Sequence, residues 1–304
     1  MCAGVAQAGL FVSSNGYPIV RCNDCRLVFT DDRNAPPASE LYPAFDQSDG
    51  WSQRSARSAL GAFLLQRAGV VKAVKSSGRL LDYGCGNGAF ARHMSTAGFE
   101  AVGLEPYSLG KPFEAAGLRL VQGPLSQVGA SLGKFDVITL WHVLEHVRNP
   151  VELLTALNGH LHPGGALVIS VPNFASWQSK VFGGSWFHLD PPRHLLHFEA
   201  ATLTDCLARA GLSPVAETPF LPEYGSSGWI QSALNQFLPH KNYLYEFVKD
   251  RGALKRMSAA SSAMHFAASA ISGAPILGAS VPVEALAAQF NKAAALTVAA
   301  KALP

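Results

Sequence analysis

From Arg79 onward the sequence alternates short aliphatic and β-branched runs with amphipathic stretches of helical length, and this alternation restricts the fold most. RLLDYG (Arg79 to Gly84), FEAVGLEP, LRLVQG, FDVITLW and GALVISVP read as five strands, too continuously apolar to keep one face in water. Between and after them, residues from about Gly88 to Ala97, PVELLTALNGHL and AATLTDCLARAGL read as helices, the last stopping at Gly211. Strands apolar on both faces and spaced by helices are what a parallel sheet covered on both sides requires. The expectation is an α/β fold.

The 304 residues suffice for one large domain, or one domain with a smaller unit. With 48% hydrophobic residues and a net charge of +3, the chain is too apolar to be disordered. It is also too weakly basic for a dedicated nucleic-acid binder, so no nucleic-acid partner is expected. Five scattered cysteines do not make a disulfide scaffold. MCAGVAQAGLFVSS lacks the basic start of a secretory signal, and a cytoplasmic setting is expected.

Two regions break the rhythm and suggest a three-part division. Residues 1–50 hold YPIVRCNDCRLVF, a small β-element with a Cys-x-x-Cys turn. Residues 51–223 with 292–304 form the main domain, and 224–291 a helical insertion before the last strand, between SPVAETPFL and AALTVAAKA. Within it, Met257 to Val283 contains no Asp, Glu, Lys or Arg, but it is Ala/Ser/Gly-rich, holds His265 and is interrupted by Pro275 and Pro282. That is poor material for a membrane span. A packed insertion, a contact between copies and a lid touching a membrane surface stay open. Trp229, Ala233, Leu234 and Phe237, then Leu244, Phe247 and Val248, fall at amphipathic helical spacing.

The most informative segment is LLDYGCGNGAF, at the turn from first strand to first helix. Gly84, Gly86 and Gly88 let the backbone adopt positive φ and approach a ligand closely. Open α/β sheets bind nucleotides at this end of the strands. Gly84-x-Gly86-x-x-Ala89 also fits a dinucleotide fingerprint, and Glu105 at the end of the second strand suits any adenosine ribose. Asp82 separates the possibilities. A carboxylate at the strand tip would repel a pyrophosphate but attract an ammonium and a sulfonium, by a few kcal/mol at an effective dielectric of about 20. The order favours S-adenosyl-L-methionine over NAD.

LLDYGCGNG, VGLEP, FDVITLWHVLEHVRNPVELL and LHPGGALVISVPN, in that order, resemble class I S-adenosylmethionine-dependent methyltransferases, most nearly the bacterial-type group related to ubiquinone-pathway enzymes. The resemblance continues more loosely through WFHLDPPRHLLHFEAATLTDCLARAGL to AALTVAAKA. It implies a Rossmann-like, seven-stranded, mostly parallel sheet with helices on both faces. It also implies that Asp82, Gly84, Cys85, Gly86 and Gly88 hold the amino-acid end of the cofactor, and Glu105 with Pro106 the ribose. The stretch from Gln122 to Leu125 would meet the adenine, although QGPL stands where the family often has an acid. Trp141 and His142 would border the cofactor and the acceptor. The implied reaction is methyl transfer to a small-molecule acceptor at a hydroxyl, releasing S-adenosyl-L-homocysteine. A non-catalytic scaffold and an NAD-linked oxidoreductase are the alternatives.

Methyl transfer from a sulfonium is an in-line displacement, so positioning and water exclusion do most of the work. A hydroxyl nucleophile also benefits from a base, for which histidine is suited. His142 and His146 in WHVLEHV would be an i, i+4 pair on a helix, with Glu145 beside them. His188, His194 and His197 lie in WFHLDPPRHLLHF, where Arg193 could meet an acceptor phosphate or carboxylate, or form an internal ion pair. His194 is the first choice of base, followed by His142 and His146. The glutamate of HVLEH is misplaced for a metalloprotease helix, and no metal is expected there.

Cys22-Asn23-Asp24-Cys25 is similar to one knuckle of a zinc ribbon, which needs four ligands. Only Cys2 lies upstream, and Arg26 stands where a knuckle often has glycine, so zinc and a pair of buried thiols both remain possible. By resemblance, Tyr42 belongs to a segment covering the cofactor. The uncharged insertion would suit a lipid- or glycan-linked acceptor presented at a membrane surface.

Overall fold

The computed structural model describes residues 7–41, 59–107, 118–218, 222–244 and 258–303. Cys2, Tyr42, Phe247, Val248 and Met257 lie outside them. Eleven strands form two sheets among the described residues.

The central sheet contains β4 (Gly78–Tyr83), β5 (Phe99–Glu105), β6 (Arg119–Gln122), β7 (Phe135–Trp141), β8 (Leu161–Pro172), β10 (Leu212–Thr218) and β11 (Ala295–Ala302). Their order is β10-β11-β8-β7-β4-β5-β6. β4 pairs in parallel with β5 and β7, β5 with β6, and β7 with β8, while β11 runs antiparallel to both β8 and β10. The sheet reverses direction of build-up at β4, and the cleft outside the strand ends there is the natural ligand position. The expected strands and helices match within a few residues, and the sheet is the seven-stranded, mostly parallel one expected.

Two apolar layers explain the continuous strand runs. One holds Leu81, Leu104, Ile138, Leu140 and Ile169 with helices α5 (Pro150–Gly159) and α7 (Ala200–Arg209), which contribute Leu154, Leu157, Leu203 and Leu207. The other holds Leu80, Val137 and Val168 with Ala68 and Val71 of α2 (Ala59–Val74) and Phe90, Ala91 and Met94 of α3 (Ala89–Thr96). Alternate residues of one strand thus face opposite layers. Each fully buried Leu, Ile or Val side chain contributes roughly 1.5–3 kcal/mol.

A smaller antiparallel sheet, β1 (Gln7–Val12), β2 (Pro18–Cys22), β3 (Val28–Thr30) and β9 (Leu196–His197), draws its last strand from far downstream. Two residues carry no periodicity, so β9 has no sequence signature. Before the insertion, β10 ends on the central sheet; α8 (Pro222–Phe237) and α9 (Ala259–Gln289) then pack together. The buried stripe of α8 is Ile230 and Leu234, continued by Leu238 just beyond it, with Ala268 and Ile276 from α9. Phe237 is instead 87% exposed, one position off the stripe that spacing predicted. Glu284, buried on α9, accepts hydrogen bonds from Gln178 Nε2 and Trp229 Nε1, each at 2.7 Å, and from the Ala294 N–H at 3.1 Å. Three donors satisfy a carboxylate that burial alone would make costly.

Candidate functional site

The loop after β4 is built from three residues with positive φ: Gly84 at 73°, Gly86 at 53° and Gly88 at 72°. They are not equivalent. A Cβ on Gly84 would lie 2.5 Å from Val143 Cγ2, whereas one on Gly86 would meet nothing within 4 Å. Gly84 is therefore glycine for packing against the turn after β7, and Gly86 marks the open edge of the loop. The Gly84 N–H donates to the Leu104 carbonyl at 2.7 Å, and the Gly86 N–H to Glu105 Oε2 at 2.9 Å. Glu105 Oε1 accepts from the Tyr107 N–H at 3.2 Å. Burial raises the Glu105 carboxyl above its ordinary range, although these two backbone donors oppose the shift. Each oxygen keeps acceptor capacity for a hydroxyl.

A groove of about 1140 Å³ runs from here across the ends of the strands. Tyr83, Gly84, Glu105, Pro106 and Tyr107 line one end, Leu125 and Ser126 of the short helix α4 (Leu125–Val128) a side, and His142, Val143 and His146 another wall. A glycine turn at Gly84, a carboxylate at a strand end and the side wall at Leu125 fit an adenosine-containing group.

The other expected cofactor residues sit behind that surface. Asp82 is buried and accepts a hydrogen bond from Thr139 Oγ1 at 2.8 Å; it does not line the groove. Burial raises its carboxyl to about 7, against the lowering effects of Thr139 and Arg67. Cys85 turns toward Gly103, its thiol pushed far up by burial. Gln122 lies opposite Glu105 across the β5–β6 pair, outside the groove lining. Trp141 packs edge-on against Phe90 at 5.4 Å, with the Arg67 guanidinium 5.1 Å from its ring centre, and belongs to the core. Its indole N–H has no hydrogen-bond partner.

WHVLEHV does not form the helix its spacing suggested. β7 ends at Trp141, His142 takes a left-handed conformation at φ 56°, and Leu144–His146 make one 3₁₀ turn. Such a backbone costs a non-glycine residue roughly 1–2 kcal/mol. The His142 N–H donates to the Ser170 carbonyl at 2.9 Å, and His142 Nδ1 stands 3.2 Å from Glu145 Oε1. Burial would raise the Glu145 carboxyl, but the His142 hydrogen bond and the charges of His142, His146 and His194 outweigh it and hold it near 2.

His194 reaches the same cluster from the loop after the short helix α6 (Trp177–Phe182). Its Nε2 is 4.0 Å from Glu145 Oε1 and 3.9 Å from Asp190 Oδ2, its Nδ1 donates to the His188 carbonyl at 2.8 Å, and its ring meets that of His146 at 4.7 Å. Burial, with the neighbouring His146, holds His194 well below ordinary imidazole values, and it lies behind the groove wall that His142 and His146 form. Arg193 pairs with Asp190 at 2.7 Å, the internal alternative, while still lining the groove.

The small sheet holds this loop in place, a role its sequence did not signal. The Thr30 N–H donates to the Leu195 carbonyl at 3.0 Å, and Thr30 Oγ1 to the His194 carbonyl at 2.7 Å. His197, on β9, lies 3.0 Å from Thr30 Oγ1 and is pushed by burial to about 3. Across the element, Arg21 pairs with Glu199 at 2.7 Å and Arg148 with Asp32. Cys22 is buried and Cys25 half-buried, and among the described residues no further metal-ligating side chain groups with them.

A family profile described as "Methyltransferase domain" matches residues 52–217, more than half of the chain. The ubiquinone biosynthesis O-methyltransferase of Cereibacter sphaeroides is 30% identical over 168 residues, 51% of this chain and 68% of that protein. Its namesake in Ruegeria pomeroyi is 30% identical over 156 residues, 47% of this chain and 63% of that protein. A SAM-dependent methyltransferase from Archaeoglobus fulgidus superposes with a TM-score of 0.43 at 23% identity, covering 53% of this chain and 75% of its own. The [4+2]-cyclase SpnF does so at 0.49 and 17% identity, covering 83% and 86%. The chain belongs to the methyltransferase-domain family, the class I S-adenosylmethionine-dependent enzymes.

Proposed function

We propose that the protein transfers a methyl group from S-adenosylmethionine to a hydroxyl of a small-molecule acceptor. The observation that carries this reading is that the Gly84 turn, Glu105 and His142 line one groove, with Glu145 buried behind His142. The bound cofactor supplies an electrophilic methyl on sulfur and leaves as S-adenosylhomocysteine. Glu105 would accept from the ribose hydroxyls, and the wall at Leu125 and Ser126 would cover the adenine. His142 is the catalytic base in this reading. With Nδ1 turned to Glu145 at 3.2 Å, Nε2, buried in this structure, would carry the lone pair that takes the acceptor's proton once an acceptor seats against the ring. Glu145 is a positioning residue, fixing the tautomer and steadying the imidazolium as it forms.

Isothermal titration with S-adenosylmethionine, S-adenosylhomocysteine and NAD, on the native chain and on Glu105→Ala, tests the cofactor assignment. Binding of the first two, weakened in the variant, supports it. Binding of NAD alone would favour the oxidoreductase reading, and no binding at all the scaffold.

A hydrophobic or lipid-linked acceptor also fits the insertion. Among the described residues no helix is long and apolar enough to cross a membrane. Yet Met264 and Ile271 stand two turns apart on an exposed side of α9, and Ile271 is 77% exposed. Such a face suits shallow contact with a membrane surface. Met264→Ser with Ile271→Ser should reduce co-flotation with anionic vesicles; unchanged partitioning would contradict the contact.

A further inference from the structure

Glu145, His146 and His194 offer one ligand atom each, and these atoms all lie within 4.8 Å of one another. Three further observations point the cluster at a cation. Glu145 is completely buried, and its Oε2 accepts no hydrogen bond. A buried carboxylate oxygen without a donor is costly unless something positive meets it. Each imidazole is also aimed by its other nitrogen: His146 Nδ1 is 2.9 Å from the Arg193 carbonyl, and His194 Nδ1 2.8 Å from the His188 carbonyl. A carbonyl can only accept, so Nδ1 carries the proton in both rings and Nε2 carries the lone pair. That outer shell is the one metal-bound histidines use.

The supporting backbone is equally tied down. The Leu195 N–H donates to the Glu145 carbonyl at 2.8 Å, locking the loop of His194 to the turn of Glu145 and His146. Ligands around a zinc ion stand roughly 3.3 Å apart at the tetrahedral angle, so the three side chains need only draw inward.

We propose that Glu145, His146 and His194 form a binding site for a divalent cation of the zinc class. Two imidazoles and one carboxylate select a borderline ion such as Zn²⁺ over Mg²⁺ or Ca²⁺, which prefer all-oxygen shells. His146 is the ligand that also lines the groove, so the ion would sit at the groove wall beside His142. The site shares Glu145 with the methyl-transfer reading, and its test reads metal binding rather than activity, so each can fail without the other.

The test is zinc titration of the purified full chain after EDTA treatment and dialysis, with metal content measured by mass spectrometry. One Zn²⁺ per chain is expected, with affinity reduced at least ~100-fold in Glu145→Gln and in His194→Gln. Cys22→Ser with Cys25→Ser should leave that ion in place. Far-ultraviolet circular dichroism and thermal melts identify any variant that has unfolded, and Co²⁺ substitution of the native chain supplies a second readout. The expected visible spectrum is one of nitrogen and oxygen ligation, without thiolate charge transfer. No binding by the native chain, binding unaffected in a folded Glu145→Gln, or loss in the cysteine variant alone would overturn the assignment.

Discussion

The two ends of the groove are built in opposite ways. At the β4–β5 end, Gly84, Gly86 and Glu105 lie within 22 residues of one another and act largely through backbone contacts. At the β7 end, His142 and Glu145 come from one turn and His194 from a loop 48 residues beyond His146, brought together by the small sheet. One end is a local motif that any sheet of this kind can carry. The other is an assembly that exists only in the folded chain. Cofactor binding and acceptor chemistry should therefore fail separately.

Changes at the histidine end carry the largest expected effect. His142→Asn should lower methyl transfer into a hydroxyl acceptor by about 10²–10⁴-fold, while cofactor affinity changes only a few-fold. Radiolabel transfer and titration on the same preparation would show both. Equal losses in both would erase the contrast between the two ends.

Gly84→Ala probes where the ends touch, because its Cβ would strike Val143 beside His142. A left-handed backbone and an overpacked contact together should cost about 2–4 kcal/mol in urea unfolding. The same change at Gly86, which has open space but also positive φ, should cost only about 1–2 kcal/mol. Glu105→Ala removes a carboxylate that meets two backbone donors and should weaken S-adenosylmethionine binding by about 10–100-fold.

Asp82 gives the smallest effect and a defined sign. With its carboxyl raised to about 7 by burial, it is protonated in the free protein below that pH. A bound cation favours the carboxylate, so affinity for S-adenosylmethionine should rise as pH climbs through 7, by no more than ~10-fold, and then level off. Asp82→Asn should flatten that profile. S-adenosylhomocysteine, lacking the sulfonium charge, should show a shallower slope in the native chain.

The same contrast accounts for what was legible in the sequence. Strand and helix positions along the central sheet followed from hydrophobic period, because residues such as Leu80 and Leu81 face two different apolar layers. The glycine loop was legible because the positive φ values within it, at residues 84, 86 and 88, all fall on glycine. Its division of labour was not, since only the neighbouring Val143 distinguishes Gly84 from Gly86. Asp82 and Trp141 stand at the expected strand tips, but their side chains turn into the interior, a direction that spacing alone does not carry. The helix expected over His142 to His146 gave way to a turn because His142 takes positive φ directly after β7. His194 joins Glu145 through Thr30 and β9, long-range contacts with no linear pattern.

The most direct test of a shared groove is an isotope-edited NOE measurement on the complex with S-adenosylmethionine labelled with ¹³C at the transferable methyl. Cross-peaks from that methyl to the ring protons of His142, lost in His142→Asn, are the predicted result. A bound methyl whose cross-peaks avoid His142 and report another wall would contradict the account, because cofactor and base would then not meet.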